Sequence, residues 1–140
     1  MFSTIMVPVD LAHADRLGHA IDVAAEIARQ ADGEICFVGV TSNLPGKLAH
    51  TPAEFADRLG RFGAEEASKR GVRARSHAVT SHDPRIDVDQ HLLKAIDETG
   101  ADLVVMATHA PNIADRIWPS HGGDVAARSP VSVLLVREPR

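Results

Sequence analysis

Short apolar runs alternate with amphipathic segments along the whole chain. Runs at residues 3–10, 35–40, 103–106 and 132–136 predict strands, and residues 72–79, where apolar and polar side chains alternate, predict a strand with one exposed face. Pro8 lacks the N–H group that a central strand donates to its neighbour, so we expect it at the end of the first strand.

Apolar residues at helical spacing predict a helix in each gap between these strands. The first helix should end at Gly33 and the third at Gly100, because glycine readily closes helices. The second should begin at Thr51, with Thr51 and Glu54 forming a capping box. A last helix is expected at about 120–128. Strands that alternate with helices indicate a parallel sheet covered on both faces, which is a doubly wound α/β fold.

Length, charge and cysteine content narrow the class of protein. A chain of 140 residues favours one core, so we expect residues 1–140 to form a single domain. The formal net charge of −4 gives no basic excess, so we expect neither nucleic acid nor a membrane surface as a partner. The lone Cys36 fits a reducing compartment, and we recognise no signal peptide or membrane-spanning stretch, so we expect a cytoplasmic location.

Several polar residues stand where predicted strands end. Ligands of doubly wound sheets bind outside the carboxyl ends of the strands, where the strand order reverses. Asp10 ends the first strand, Val40 ends the second, and Ala107, Thr108 and His109 end the fourth. In a nucleotide site Asp10 could accept a hydrogen bond from a ribose hydroxyl, or it could help to hold Mg²⁺. The alternative is that it caps the helix that follows.

Ser120, His121 and Gly122 stand at the start of the last predicted helix. Unpaired backbone N–H groups favour an anion at such a position, and glycine lets a phosphate approach the backbone. The alternative is a plain helix start with a capping serine. His109, His121 and Asp10 could together hold a metal ion, but the chain has no tight ligand spacing, so a solvated histidine is the favoured interpretation.

Three segments together resemble the universal stress protein family: strand 5–10 with its Pro-x-Asp end, residues 104–109, and residues 132–137. The resemblance covers essentially the whole chain. It implies a five-stranded parallel sheet in the order 3-2-1-4-5 and, as in many members, an ATP site with ribose or Mg²⁺ at Asp10. It also implies adenine at the Val40 backbone and phosphates near Ser120. The implied nucleotide-binding residues are Pro8, Val9, Asp10, Val40, Ala107, Thr108, His109, Ala110, Ser120, His121 and Gly122.

The chain departs from the family's glycine motif, which reads Gly-x-x-Gly, nine residues, then Gly-Ser/Thr. Ala107 and Ala110 occupy the first two glycine positions, and Pro119 or Ser120 occupies the third. A methyl group at Ala110 stands where backbone would approach a phosphate, and Pro119 removes one N–H donor. We expect a binding or signalling module, rather than an enzyme, that holds ATP or AMP with or without Mg²⁺. The alternatives are a nucleotide-free stress protein that acts through its dimer surface, and a slow ATP hydrolase or adenylyl-transfer protein.

The last predicted strand, Ser132 to Val136, is strongly apolar. In the family this strand often pairs antiparallel with its copy in a dimer. An unpaired apolar edge also invites pairing with another chain. We therefore expect a homodimer through this strand.

Overall fold

The computed structural model describes residues 1–45, 49–82, 88–108 and 121–137, and strands alternate with helices through these residues. The strands are β1 (Thr4–Pro8), β2 (Glu34–Ser42), β3 (Arg73–Ser81), β4 (Leu103–Thr108) and β5 (Ser132–Arg137). The α-helices are α1 (Gly18–Ala31), α2 (Pro52–Arg70), α3 (Val88–Thr99) and α4 (His121–Arg128). A short 3-10 helix, Leu11–Arg16, lies between β1 and α1.

The five strands pair in parallel in the order β3-β2-β1-β4-β5. This confirms the expected fold class and strand order. The order reverses at β1, which has β2 on one side and β4 on the other. Pro8 is the last residue of β1, as expected from its missing N–H group, and the next N–H group, of Val9, donates to the Val38 carbonyl at 2.7 Å. The missing N–H group of Pro8 therefore falls at the end of the central strand β1 and not in its middle.

Alternate strand residues build a separate core on each face of the sheet. In β1, Ile5 and Val7 join the cluster formed with α1 and α2, whereas Met6 joins the cluster formed with α3 and α4. Cys36 is fully buried in the second cluster, as expected for a small apolar side chain. Helices therefore cover both faces, as the alternating pattern predicts. Among the described residues, none of the helices combines the length and the apolar character needed to cross a bilayer.

The ends of α2 and α3 follow the predicted signals with one difference. The Thr51 hydroxyl caps α2 by accepting from the N–H group of Glu54 at 3.1 Å. The Glu54 carboxylate accepts from the His50 N–H group at 3.3 Å, instead of from Thr51, so only half of the predicted capping box forms. Gly100 follows α3 with φ +71, the left-handed conformation that the prediction required.

The residue that closes α1 is Asp32, not the predicted Gly33. Asp32 adopts the left-handed conformation at φ 52, which a short polar side chain tolerates. Gly33 has a different role at the start of β2. A Cβ atom there would collide with the backbone carbonyl oxygens of Phe2 and Ser3, so glycine is needed for the close approach of β2 to the segment that leads into β1.

Candidate functional site

Three adjacent strands end beside one another at the carboxyl edge of the sheet, and predicted site residues stand at their ends. β1 pairs in parallel with β2 as far as Pro8 and Val38, and with β4 as far as Met6 and Val104. Asp10 follows β1 by two residues, Val40 lies near the end of β2, and Thr108 ends β4. The strand order reverses at this point, which is where ligands of doubly wound sheets bind. The sheet therefore brings together residues that are far apart in the chain.

The residues at this edge differ in what they can offer to a ligand. Pro8, Val9 and Ala107 are buried, so their side chains belong to the protein interior. Asp10, Val40 and Thr108 are half-buried and can be reached from solvent. A ligand at this edge would meet one carboxylate, one hydroxyl and the backbone of the strand ends.

Ala107 occupies the first glycine position of the family motif, and its side chain is part of the protein core. Only 4% of Ala107 is exposed, and it belongs to the α1 and α2 cluster together with Val9 and Val136. The methyl group that replaces the glycine hydrogen therefore fills space between the sheet and its helices. It does not occupy the solvent side of the strand end.

The Asp10 carboxylate caps the 3-10 helix, so the capping interpretation of this residue is confirmed. Its Oδ1 accepts from the backbone N–H group of Ala12 at 3.1 Å, and its Oδ2 lies 3.1 Å from Nδ1 of His13. The Asp10 side chain nevertheless keeps 28% of its surface exposed. Capping and ligand binding are therefore compatible for this carboxylate, because each of its oxygens can accept more than one hydrogen bond.

Some of the other predicted site residues lie outside the described part of the chain, and two of them begin α4. His109, Ala110 and Ser120 lie outside the described residues, as does Pro119. His121 and Gly122 are the first two residues of α4, which agrees with the predicted helix start. Among the side chains that the structure describes, no group of three or more His, Cys, Asp or Glu residues could hold a metal ion.

A cleft of about 400 Å³ borders the 3-10 helix on its α2 side, and no pattern in the sequence predicted it. The residues that line it are Leu11, Ala14, Arg58, Arg61, Phe62 and Glu65. Arg58 pairs with Glu54 at 3.6 Å. The only sequence signal was a pair of arginines three residues apart in α2, and nothing in the sequence showed that this face meets the 3-10 helix. The cleft places charged side chains of both signs beside the segment that continues directly from Asp10.

Cys36 does not contribute chemistry to this edge. Burial raises the pKa of the Cys36 thiol, and the thiol is fully enclosed. A neutral buried thiol is a poor nucleophile, because the thiolate is the reactive form. Cys36 is a core residue.

The parallel five-stranded sheet covered by helices on both faces defines this chain as a doubly wound α/β protein. Within that class, the sequence profile of the universal stress protein family matches residues 1–137, and the chain belongs to this family. Universal stress protein G of Escherichia coli O157:H7 is 30% identical over 149 aligned positions, which cover 98% of this chain and 100% of that protein. Universal stress protein G of Shigella flexneri is 29% identical, with the same coverage.

Solved structures share the fold at lower sequence identity. A universal stress protein in complex with cAMP superposes with a TM-score of 0.74 at 21% identity, over 99% of both chains. The Archaeoglobus fulgidus protein in complex with dAMP gives 0.68 at 21% identity, over 95% of this chain and 96% of that one. An Arabidopsis thaliana family member with AMP bound gives 0.70 at 14% identity, over 98% of this chain and 92% of that one.

Proposed function

We propose that this protein is a stress-response binding or signalling module that holds an adenine nucleotide at the carboxyl edge of β1 and β4. The observation that carries the proposal is that Asp10, Val40 and Thr108 stand at or just beyond the carboxyl ends of three adjacent strands, where the strand order reverses. Three structural neighbours bind cAMP, dAMP or AMP, and these ligands support an adenine nucleotide as the ligand here.

The proposed contacts follow the position of each group. Asp10 accepts hydrogen bonds from ribose hydroxyls, and the backbone of Val40 meets the adenine base. The backbone at Ser120 to Gly122 takes the phosphates, since N–H groups at the start of a helix favour an anion. AMP needs only one phosphate position, whereas ATP requires further donors there. If Mg²⁺ accompanies ATP, Asp10 supplies one carboxylate, which is compatible with a metal held mainly by phosphate oxygens and water.

The alanine at position 107 is compatible with this proposal. Its methyl group is buried in the α1 and α2 core, so it takes no volume from a ligand that lies beyond the strand end. The remaining departures from the glycine motif are Ala110 and Pro119. They act on the phosphates rather than on the ribose or the base, so we propose that AMP binds more readily than ATP.

Calorimetric titration of nucleotide-stripped protein with AMP and with Mg-ATP tests the proposal. Asp10→Asn keeps an oxygen that can cap the 3-10 helix but removes the charge, and we expect it to weaken AMP binding by about tenfold. Asp15→Asn is the matched control, because Asp15 is an exposed residue of the same 3-10 helix. Absence of binding heat at high protein concentration, together with no co-purified nucleotide, would refute nucleotide binding.

We propose binding rather than turnover for the nucleotide, and a phosphate-release assay separates the two. Steady release of phosphate from ATP that disappears in Asp10→Ala would favour the slow hydrolase instead. We propose the cytoplasm as the site of action, since an unpaired buried thiol such as Cys36 suits a reducing compartment.

We also propose a homodimer through the segment Ser132 to Val136. β5 is an edge strand of the sheet, and Leu134 and Leu135 are each 39% exposed. Exposed apolar side chains on an open edge favour pairing with a second copy. Light scattering at micromolar concentration should give a dimer mass, and Leu134→Lys should give a monomer. Leu44→Lys is the control, because Leu44 is also exposed but lies outside the strand. A monomer mass for the unmodified protein would refute the proposed dimer.

A further inference from the structure

Asp10 and His13 form a side-chain pair at the end of β1. Their backbones are also joined, because the His13 N–H group donates to the Asp10 carbonyl at 3.0 Å. The 3-10 helix is kinked at His13, which has φ −131 and ψ 32 instead of helical values. With this backbone the imidazole Nδ1 lies 3.1 Å from Oδ2 of Asp10. The two side chains stay 28% and 34% exposed for Asp10 and His13, so solvent or a ligand can reach them.

The chemistry of the pair determines which histidine nitrogen carries the proton. An ionised carboxylate only accepts hydrogen bonds, so Nδ1 of His13 must be the donor. With Nδ1–H engaged, Oδ2 of Asp10 is held by His13 while Oδ1 is held by the Ala12 N–H group at 3.1 Å. Each carboxylate oxygen can accept about two hydrogen bonds, so the contacts made by residues 1–45, 49–82, 88–108 and 121–137 leave one acceptor position on each oxygen of Asp10. The two carboxylate oxygens of Asp10 can therefore accept one hydrogen bond from each of two hydroxyl groups on neighbouring carbon atoms.

We propose that His13 is a positioning residue that fixes the Asp10 carboxylate for the two vicinal hydroxyls of a ribose, so that the site prefers ribonucleotides to 2′-deoxyribonucleotides. This inference rests on the proposed adenine-nucleotide site and adds a specificity to it. Without His13, the Ala12 contact is the one hydrogen bond that the described residues still donate to the carboxylate, and its plane can rotate. A carboxylate that is already oriented loses less freedom when a ligand binds.

The ratio of the affinities for AMP and 2′-deoxy-AMP tests this role. We expect the unmodified protein to bind AMP about tenfold more tightly, because one hydrogen bond to a charged group is lost with the 2′-hydroxyl. His13→Ala should reduce the ratio to about threefold or less, because the carboxylate is no longer held. His13→Asn should restore it, since the asparagine amide can donate from nearly the position of Nδ1. His19→Ala, an exposed histidine of α1, should leave the ratio unchanged.

The outcomes separate this inference from the proposed function. If the unmodified protein binds neither nucleotide, the proposed function fails and this inference falls with it. If it binds both equally, or if His13→Ala keeps the full ratio, nucleotide binding stands and the role of His13 is overturned. A ratio that His13→Asn does not restore would also overturn it.

The proton position gives a test that needs no nucleotide. In a long-range ¹H–¹⁵N spectrum of the free protein at neutral pH, His13 should carry its proton on Nδ1. In Asp10→Ala the proton should move toward Nε2, because the carboxylate that selects the tautomer is gone. A proton on Nε2 in the unmodified protein would overturn the inference.

Discussion

Replacing glycine with alanine should stabilise this protein at one position of α2 and bring no gain, or a loss, at another. Gly60 is half-buried, and a Cβ atom there would lie 3.6 Å from the Ser76 hydroxyl oxygen, an ordinary contact distance. Gly63 is buried, and a Cβ atom there would lie 2.9 Å from Cδ2 of Phe37. Phe37 is fully enclosed in β2, so its ring has little room to move.

The magnitudes decide the sign at each position. Alanine is favoured over glycine inside a helix by about 1 kcal/mol, and both variants gain this amount. Nothing opposes the gain at Gly60. At Gly63 the new methyl group must displace the Phe37 ring, which also packs edge to face against Phe62 at 5.6 Å between ring centroids. Such overpacking costs about 1–3 kcal/mol. We therefore expect Gly60→Ala to raise the free energy of unfolding by about 1 kcal/mol, and Gly63→Ala to lie about 1–3 kcal/mol below it.

Urea unfolding followed by far-UV circular dichroism measures the difference, provided that the two variants share one denaturant slope. Replacing Phe37 with leucine in the Gly63→Ala background provides a control, because the smaller side chain relieves the contact. The double mutant should show a favourable coupling energy between the two sites. If Gly63→Ala were as stable as Gly60→Ala, or if no coupling appeared, the close packing of α2 on β2 could not be the reason for a glycine at this position.

Two further predictions concern charged and titratable groups. Arg70→Met should lower the free energy of unfolding by about 1–2 kcal/mol, because the Arg70 guanidinium joins carboxylates of α1 and α2 at 2.7 and 2.6 Å. Lys69→Met, at an exposed neighbour, should change it far less in the same urea titration. Burial raises the pKa of the Cys36 thiol, so the stability that it contributes is complete below the ordinary thiol pKa of about 8.5 and is lost above it, where the unfolded chain ionises. The free energy of unfolding should therefore fall more steeply with rising pH in the unmodified protein than in Cys36→Ala, and equal slopes would contradict this.

The elements of the fold were predictable from periodicity, whereas the way they meet was not. The five predicted strands, and the helices predicted from apolar residues at helical spacing, correspond to the observed strands and helices to within a few residues. The order β3-β2-β1-β4-β5 came from the family resemblance, because periodicity carries no information about which strands are neighbours. The prediction that Gly33 ends α1 was wrong for the same reason. Glycine is required at position 33 because the backbone before β1 passes close to it, a contact between segments that are far apart in the chain.

The candidate site was predictable where it depends on strand ends and unpredictable where it depends on local backbone. Asp10 was identifiable because it follows an apolar run, and the strand order implied by the family resemblance put the end of β1 next to the end of β4. The contact between Asp10 and His13 forms in a 3-10 helix that is kinked at His13, and no residue pattern predicts the backbone angles there. The spacing of a histidine three residues after an aspartate is also compatible with a regular helix. The sequence therefore does not predict that the two side chains pair.

Ala107 shows how the meaning of a motif position depends on the face of the strand that it occupies. In β4, Leu103, Val105 and Ala107 alternate into the α1 and α2 core. A glycine at position 107 would therefore leave a small space against the helices, and an alanine fills it. Ala110 follows the end of the strand, where alternation no longer assigns a face. The two alanines consequently differ in their expected effect on a nucleotide. Ala107→Gly should therefore change mainly the free energy of unfolding, whereas Ala110→Gly should strengthen Mg-ATP binding in calorimetric titration if the proposed nucleotide site is right.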